Sequence, residues 1–87
     1  MDISAVKHLF EELDDDEVLR IELINGSKIY YLPSDLVFKD SSVIEIIKTI
    51  KKDRIQQIII NPNAIAVVCT MSRQTYDLKL QKGELYV

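Results

Sequence analysis

The stretch SSVIEIIKTIKK at residues 41–52 decides the fold of this chain, because it can form either a helix or a strand. Its apolar residues fit helical spacing, Ser42 and Glu45 form a capping box, and its lysines suit a helix C-terminus. Five β-branched apolar residues and a turn at Lys52-Asp53 favour instead one arm of a long hairpin. Taken alone, the local pattern favours the helix, so the choice depends on the rest of the chain.

Two nearly continuous apolar runs follow at residues 55–60 and 65–70, joined by Asn61-Pro62-Asn63. An antiparallel strand with one wet face alternates apolar and polar residues. These runs do not alternate, so we expect both of their faces to be covered. The small chain can cover only part of that surface, and a second copy is the expected partner. The candidate interface residues are Ile58, Ile59, Ile60, Ile65, Val67 and Val68.

The clearest local signal is a hairpin on the N-terminal side of this region. Residues 18–24 alternate and run into Asn25-Gly26, and residues 28–32 return. Asn-Gly predicts a type I′ turn in which both residues have positive φ. Pro33-Ser34 then bends the second strand before an apolar segment resumes at 36–38.

The two ends of the chain predict different elements. Apolar residues at helical spacing predict a helix over residues 2–13, which ends at the acidic run 14–17. Near the other end, apolar and charged residues alternate over 75–80 and a glycine turn follows. This pattern predicts a C-terminal hairpin over residues 73–87.

Length and composition limit the protein class. With 87 residues and 10.0 kDa, the chain predicts one domain over residues 1–87. An apolar content of 47% with only two glycines and two prolines excludes a disordered chain. No apolar run approaches the roughly 18 residues of a spanning helix. With a single cysteine and no signal-peptide pattern, we expect a cytoplasmic protein without membrane contact.

The residues that usually carry chemistry are scarce. His8 lies on the outer side of the predicted helix, Cys69 lies within an apolar run, and the two glycines are isolated. No spacing of metal ligands and no phosphate-binding loop is present in the sequence. We therefore predict no catalytic residue, no metal and no cofactor. The expected class is a binding module rather than an enzyme.

Three segments resemble the motifs of a known family. They are VLRIELINGSKI at 18–29, FKDSSVI at 38–44 and IINPNAIAVV at 59–68. In this order, after a short helix, they resemble the Sm-like family over residues 2–70, closest to its bacterial Hfq branch. The resemblance implies a helix over 1–14, a barrel over 18–70 and a strand at residues 43–50.

The resemblance also implies a function. Sm-like subunits close into rings by pairing the fourth strand of one copy with the fifth strand of the next, and they bind single-stranded RNA near the pore. The implied partners are therefore other copies of this chain and single-stranded RNA. The candidate RNA-binding residues are Asp40, Ser41, Ser42, Asn61 and Asn63, helped by Lys39 and Arg54.

The chain departs from the family at its uridine-contacting positions. Ser42 replaces a stacking aromatic residue, and Pro62-Asn63 replaces the Lys-His pair of the Hfq branch. Weak binding to short uridine runs is therefore expected.

The sequence thus predicts a mainly β fold, with an N-terminal α-helix, a small and strongly bent antiparallel β-barrel of the Sm-like or SH3-like type, and a C-terminal hairpin extension. The alternative is a small α+β adaptor of phage or plasmid type with a structural or protein-interaction role. In that alternative residues 42–51 are a helix and no nucleic acid binds.

Overall fold

The computed structural model describes residues 3–39, 42–51 and 54–83. The fold is mainly β and begins with a helix, as the sequence predicts. The elements are α1 (Ile3–Glu12), β1 (Glu17–Leu23), β2 (Lys28–Tyr31), β3 (Leu36–Lys39), β4 (Ile44–Lys51), β5 (Arg54–Ile60), a 3-10 turn (Pro62–Ala64), β6 (Ile65–Ser72) and α2 (Arg73–Gln81).

The strands form two antiparallel sheets of three strands each. The first sheet has the order β2-β1-β6, and the second has the order β3-β4-β5. The chain leaves the first sheet after β2 and returns to it through the 3-10 turn, so that β6 pairs with β1. Within the described residues the two sheets do not join into a closed barrel. The observed architecture is therefore a pair of small antiparallel sheets with an N-terminal helix.

Residues 44–51 are a strand, and the alternative helix over 42–51 is wrong. The strand β4 pairs with β3 on one side and with β5 on the other. Ile44 and Ile46 are fully buried, while Glu45 between them and Ile47 after them are only half-buried. This period of two places the isoleucines in the core. Pairing on both edges gives β4 backbone hydrogen bonds to two neighbouring strands. These outweigh the local stabilisation that the Ser42 capping box could give to a helix.

The main core lies between the two sheets and is closed by α1. Its buried residues are Val6, Phe10, Leu19, Ile21, Tyr31, Ile44, Ile46, Ile60 and Ile65. The rings of Phe10 and Tyr31 meet edge to face with centroids 4.7 Å apart, which anchors α1 to the first sheet.

A buried ion pair holds the corner where the chain leaves the first sheet. Lys48 Nζ of β4 lies 2.7 Å from Asp35 Oδ2, and the same oxygen accepts the Leu32 N–H at 2.9 Å. Burial, and then the nearby Asp35 carboxylate, raise the pKa of the Tyr31 hydroxyl. The pair therefore links the β2–β3 corner to the central strand of the second sheet.

The β1–β2 turn differs from the predicted type. Gly26 has a φ of 89°, but no described residue other than glycine has a positive φ, so Asn25 does not adopt the type I′ conformation. Gly26 N–H donates to Leu23 O at 2.9 Å, and the Asn25 side chain accepts the Ser27 N–H at 2.9 Å. This arrangement matches a type I turn followed by a left-handed glycine, the usual three-residue hairpin connection.

The predicted strand at 75–80, and with it the hairpin over 73–87, is wrong, because residues 73–81 form α2. Ser72 caps this helix by accepting the Thr75 N–H at 3.1 Å. Of the alternating apolar residues only Tyr76 is buried, whereas Leu78 and Leu80 remain 50% and 44% exposed. The alternation of apolar and charged residues over 75–80 is therefore typical of a strand, although the segment is a helix that buries a single aromatic ring. Residues 84–87 of the prediction lie outside the described residues.

The helix α2 covers part of the outer face of the first sheet. Tyr76 packs with Val18 and Tyr30 in a second, smaller buried cluster, and the two tyrosine rings are 5.7 Å apart. Burial raises the pKa of the Tyr76 hydroxyl, against an opposing effect of Arg73. The Arg73 N–H also donates to Asp16 O at 2.7 Å, which fixes the start of the helix beside β1.

Candidate functional site

The predicted asparagines lie on the surface at the end of β5. Asn61 Oδ1 accepts the Asn63 N–H at 3.0 Å and thereby caps the 3-10 turn. Both asparagines are exposed, while Pro62 between them is buried. The N–H of Ile24, in the β1–β2 turn, donates to Ala64 O at 2.8 Å. The turn is therefore held between the two sheets and presents both carboxamides to solvent.

Two further candidates lie at the same end of the second sheet. Lys39 pairs with Ile44, and Ile44 pairs with Ile60, the residue before Asn61. Ser42 is exposed just before β4 begins. The structure therefore brings Lys39, Ser42 and the two asparagines to one end of the sheet. Asp40 and Ser41 lie outside the described residues.

Arg54 does not belong to this group. It begins β5, whereas Asn61 follows the last residue of that strand. At about 3.3 Å per residue the two ends of β5 are about 20 Å apart. Arg54 and Asn61 can therefore contact one long ligand, but not the same nucleotide.

Lys39 already has partners within the chain. Its Nζ lies 3.9 Å from Glu11 Oε1 and 5.6 Å from the centroid of the Phe10 ring, and its side chain is 17% exposed. An ammonium that is shielded by a carboxylate and an aromatic face is a weaker contact for phosphate. The sequence could not show this pairing, because Glu11 is distant along the chain and meets β3 only through tertiary packing.

The candidate interface residues lie on two edge strands. In the described sheets β5 is the outermost strand of the second sheet, and β6 is the outermost strand of the first. Of the six candidates, Ile59 and Val67 are exposed, and Ile58 and Val68 are half-buried against the core. Ile60 and Ile65 are buried core residues, so they are not available for contact. The six predicted interface residues therefore include side chains that face solvent and side chains that face the core.

Sequence reasoning missed an apolar surface beside this edge. We define the outer face of the second sheet by the residues opposite its core side, namely Leu36, Glu45, Ile47, Ile55, Gln57 and Ile59. Leu36, Ile55 and Ile59 are 59%, 70% and 62% exposed. On the same face, Gln57 Nε2 donates to Glu45 Oε2. The isoleucines at 55, 58 and 59 fall on both sides of β5, so the lack of alternation in this run was the signal for this face.

Comparison with models of known protein families, with curated proteins and with solved structures gives no match to this chain. Neither described helix is long and apolar enough to cross a membrane. Among the described residues, no group of three or more His, Cys, Asp or Glu side chains could hold a metal ion.

Proposed function

We propose that this chain is an Sm-like protein that assembles into a closed homo-oligomeric ring and binds single-stranded RNA. The observation that carries the proposal is the pair of open edges at β5 and β6. An open edge offers unpaired backbone N–H and C=O groups to another strand. Because both edges belong to one chain, β6 of one copy can pair with β5 of the next, and a head-to-tail contact of this kind closes into a ring when its rotation allows.

The order of the elements supports the Sm-like part of the proposal. If β2 and β3 are counted as one strand bent at Pro33, the chain has five strands after α1. In that numbering β5 and β6 become the fourth and fifth strands, the pair through which the family assembles. We propose that the two sheets then form the small bent barrel of that family.

The proposed RNA contacts lie at the end of β5. Carboxamide side chains can read the edges of unstacked bases, and Asn61 and Asn63 are exposed on a turn that hydrogen bonds hold in place. Ser42 lies at the same end, and Asp40 and Ser41 stay predictions. Each site offers few cations, so we expect weak binding per subunit, strengthened by repetition around the ring.

Two measurements test the proposal. A native mass of several times 10.0 kDa is expected at micromolar concentration. Val67→Lys is expected to reduce the mass to that of a single chain. Fluorescence anisotropy with labelled oligouridine and oligoadenine should then show binding that falls as salt rises. Asn61→Ala/Asn63→Ala should remove this binding and leave the mass unchanged. A wild-type monomer would contradict the ring.

A second candidate function is a protein assembly that binds no nucleic acid. The pairing of Lys39 with Glu11 favours it, because it leaves the asparagine end of the second sheet without a freely exposed Lys39. Arg54 lies at the opposite end of β5, so the asparagine end also lacks the Arg54 guanidinium. A ring that binds neither oligonucleotide at low salt would support this candidate and contradict RNA binding.

A further inference from the structure

We propose that α2 of one copy docks on the outer face of the second sheet of the next copy; this inference rests on the proposed pairing of β6 with β5. The contact would add a side-chain interface to the backbone pairing of the two edges. It assigns an occupant to a face that no described element of the chain covers.

The face itself has the character of a docking surface. Leu36 and Ile47 are directly paired on neighbouring strands, and Ile55 and Ile59 lie on the same side of β5. Three of these four side chains are mostly exposed to solvent. Single exposed apolar residues are normal, but a contiguous group across three strands marks an interaction site.

The occupant has the right position. The helix α2 lies on the outer face of the first sheet and contacts β6, its edge strand, and β1. Pairing of β6 with β5 of the next copy would produce one sheet of order β2-β1-β6-β5-β4-β3, with the outer faces on one side. Neighbouring strands are about 4.8 Å apart, and a helix with its side chains is about 10 Å wide. The helix follows β6 directly and contacts it, so the side of α2 that faces away from β1 would lie within reach of the next copy's β5.

The occupant also has unused apolar surface. The helix buries only Tyr76 against its own sheet, and Leu78 and Leu80 are both left largely in solvent. Burial of either leucine against Ile55 or Ile59 would remove apolar area from water on both partners. Apolar side chains on more than one side indicate a helix with a second contact surface.

The charges of the two surfaces are complementary. Glu45 lies on the central strand of the outer face, opposite Ile59, and its hydrogen bond from Gln57 leaves the carboxylate charge unneutralised. The helix α2 carries Lys79 in its last turn and Lys82 just after it. Its acid Asp77 is already bound to Arg73 at 3.0 Å. In the proposed contact the lysines at the end of α2 would meet the Glu45 carboxylate, which favours this occupant over a second outer face of the same kind.

A charge exchange tests the contact. Glu45→Lys is expected to weaken assembly by about tenfold in the dissociation constant, measured by sedimentation over a dilution series. Adding Lys79→Glu/Lys82→Glu to the same chain should restore assembly, because the opposite charges then meet again. Glu45→Gln is the matched control, since it keeps a partner for Gln57 and should cost less than Glu45→Lys. Far-ultraviolet circular dichroism establishes that every variant is folded.

An apolar pair of variants adds a second test. Leu78→Gln/Leu80→Gln should weaken assembly, whereas Ile24→Gln, at an exposed apolar turn residue that belongs to neither surface, should not. If the wild type assembles and none of the Glu45, Leu78 and Leu80 variants changes the dissociation constant, the α2 contact is wrong and the edge pairing stands. Weakening by Glu45→Lys without restoration by the lysine changes also overturns it. A monomeric wild type overturns the edge pairing itself.

Discussion

The two sheets have the same size and the same antiparallel pairing, but their outer faces differ. On the first sheet Val18 and Tyr30 lie under Tyr76 of α2, and the rest of β1 on that side carries the charged residues Arg20 and Glu22. On the second sheet Ile55 and Ile59 lie on the outer face, and no described element covers them.

This difference shows that an apolar residue in a strand does not identify the core side. In the second sheet both faces carry isoleucines, and only the position of the first sheet decides which face is buried. On the outer face of the first sheet, one aromatic ring from α2 covers Val18 and Tyr30, while Val67 of β6 stays 45% exposed. No described part of the chain covers the apolar outer face of the second sheet, and we propose that another copy does so.

The largest expected effect concerns the link between the two sheets. Asp35→Asn keeps an oxygen for the Leu32 N–H but leaves the buried Lys48 ammonium without its counter-charge. We expect a loss of about 3–5 kcal/mol in the free energy of unfolding, measured by urea denaturation. The double variant Asp35→Leu/Lys48→Met should lose less than the single variant. If the single variant is as stable as the wild type, the ion pair does not hold the corner.

A smaller effect is expected for the cover of the first sheet. Tyr76→Ala removes the ring that packs on Val18 and Tyr30, and we expect a loss of about 2–3 kcal/mol together with reduced helical circular dichroism. Leu78→Ala, in the same helix but exposed, should change stability by no more than about 0.5 kcal/mol. Equal effects of the two variants would show that α2 is not anchored by Tyr76.

The β1–β2 turn tests the backbone of the first sheet alone. Gly26 has a φ of 89° and open space around the position of a Cβ atom, so Gly26→Val would act through backbone strain rather than a clash. We expect a loss of about 1–2 kcal/mol in thermal or urea unfolding. Gly26→Asn should lose less, because asparagine tolerates the left-handed region better. An unchanged stability of Gly26→Val would show that the turn adopts another conformation.

The smallest effect on folding is expected on the uncovered sheet. Ile59→Thr keeps a β-branched side chain at an exposed position, so the unfolding free energy of the separated subunit should change by no more than about 0.5 kcal/mol. Assembly should weaken if this face is in contact with another copy. A large loss of subunit stability would place Ile59 in the core and remove the contrast between the two sheets.

Two serines show how much of the fold could be predicted from the sequence. Ser42 and Ser72 each precede a stretch that can be capped as a helix, and only Ser72 is followed by one. Residues 44–51 pair with strands on both sides, so tertiary hydrogen bonding overrides the local preference. Residues 73–81 have no strand beside them within the described sheets, so the local cap decides.

The candidate site divides in the same way. The exposure of Asn61 and Asn63 was predictable, because the Asn-Pro-Asn sequence favours a surface turn. The pairing of Lys39 with Glu11 was not predictable, because it depends on how α1 crosses the end of the second sheet. The same holds for the separation of Arg54 from the asparagines, which follows from the direction of β5.

The sequence by itself determined the elements whose signals are local. The amphipathic pattern of α1 and the Asn25-Gly26 turn each act over a few neighbouring residues, so both could be placed before the fold was known. The tertiary structure alone decided the strand at β4 and which isoleucines face the core. These depend on contacts between residues far apart in the chain, whose free energy exceeds the small differences between local conformations.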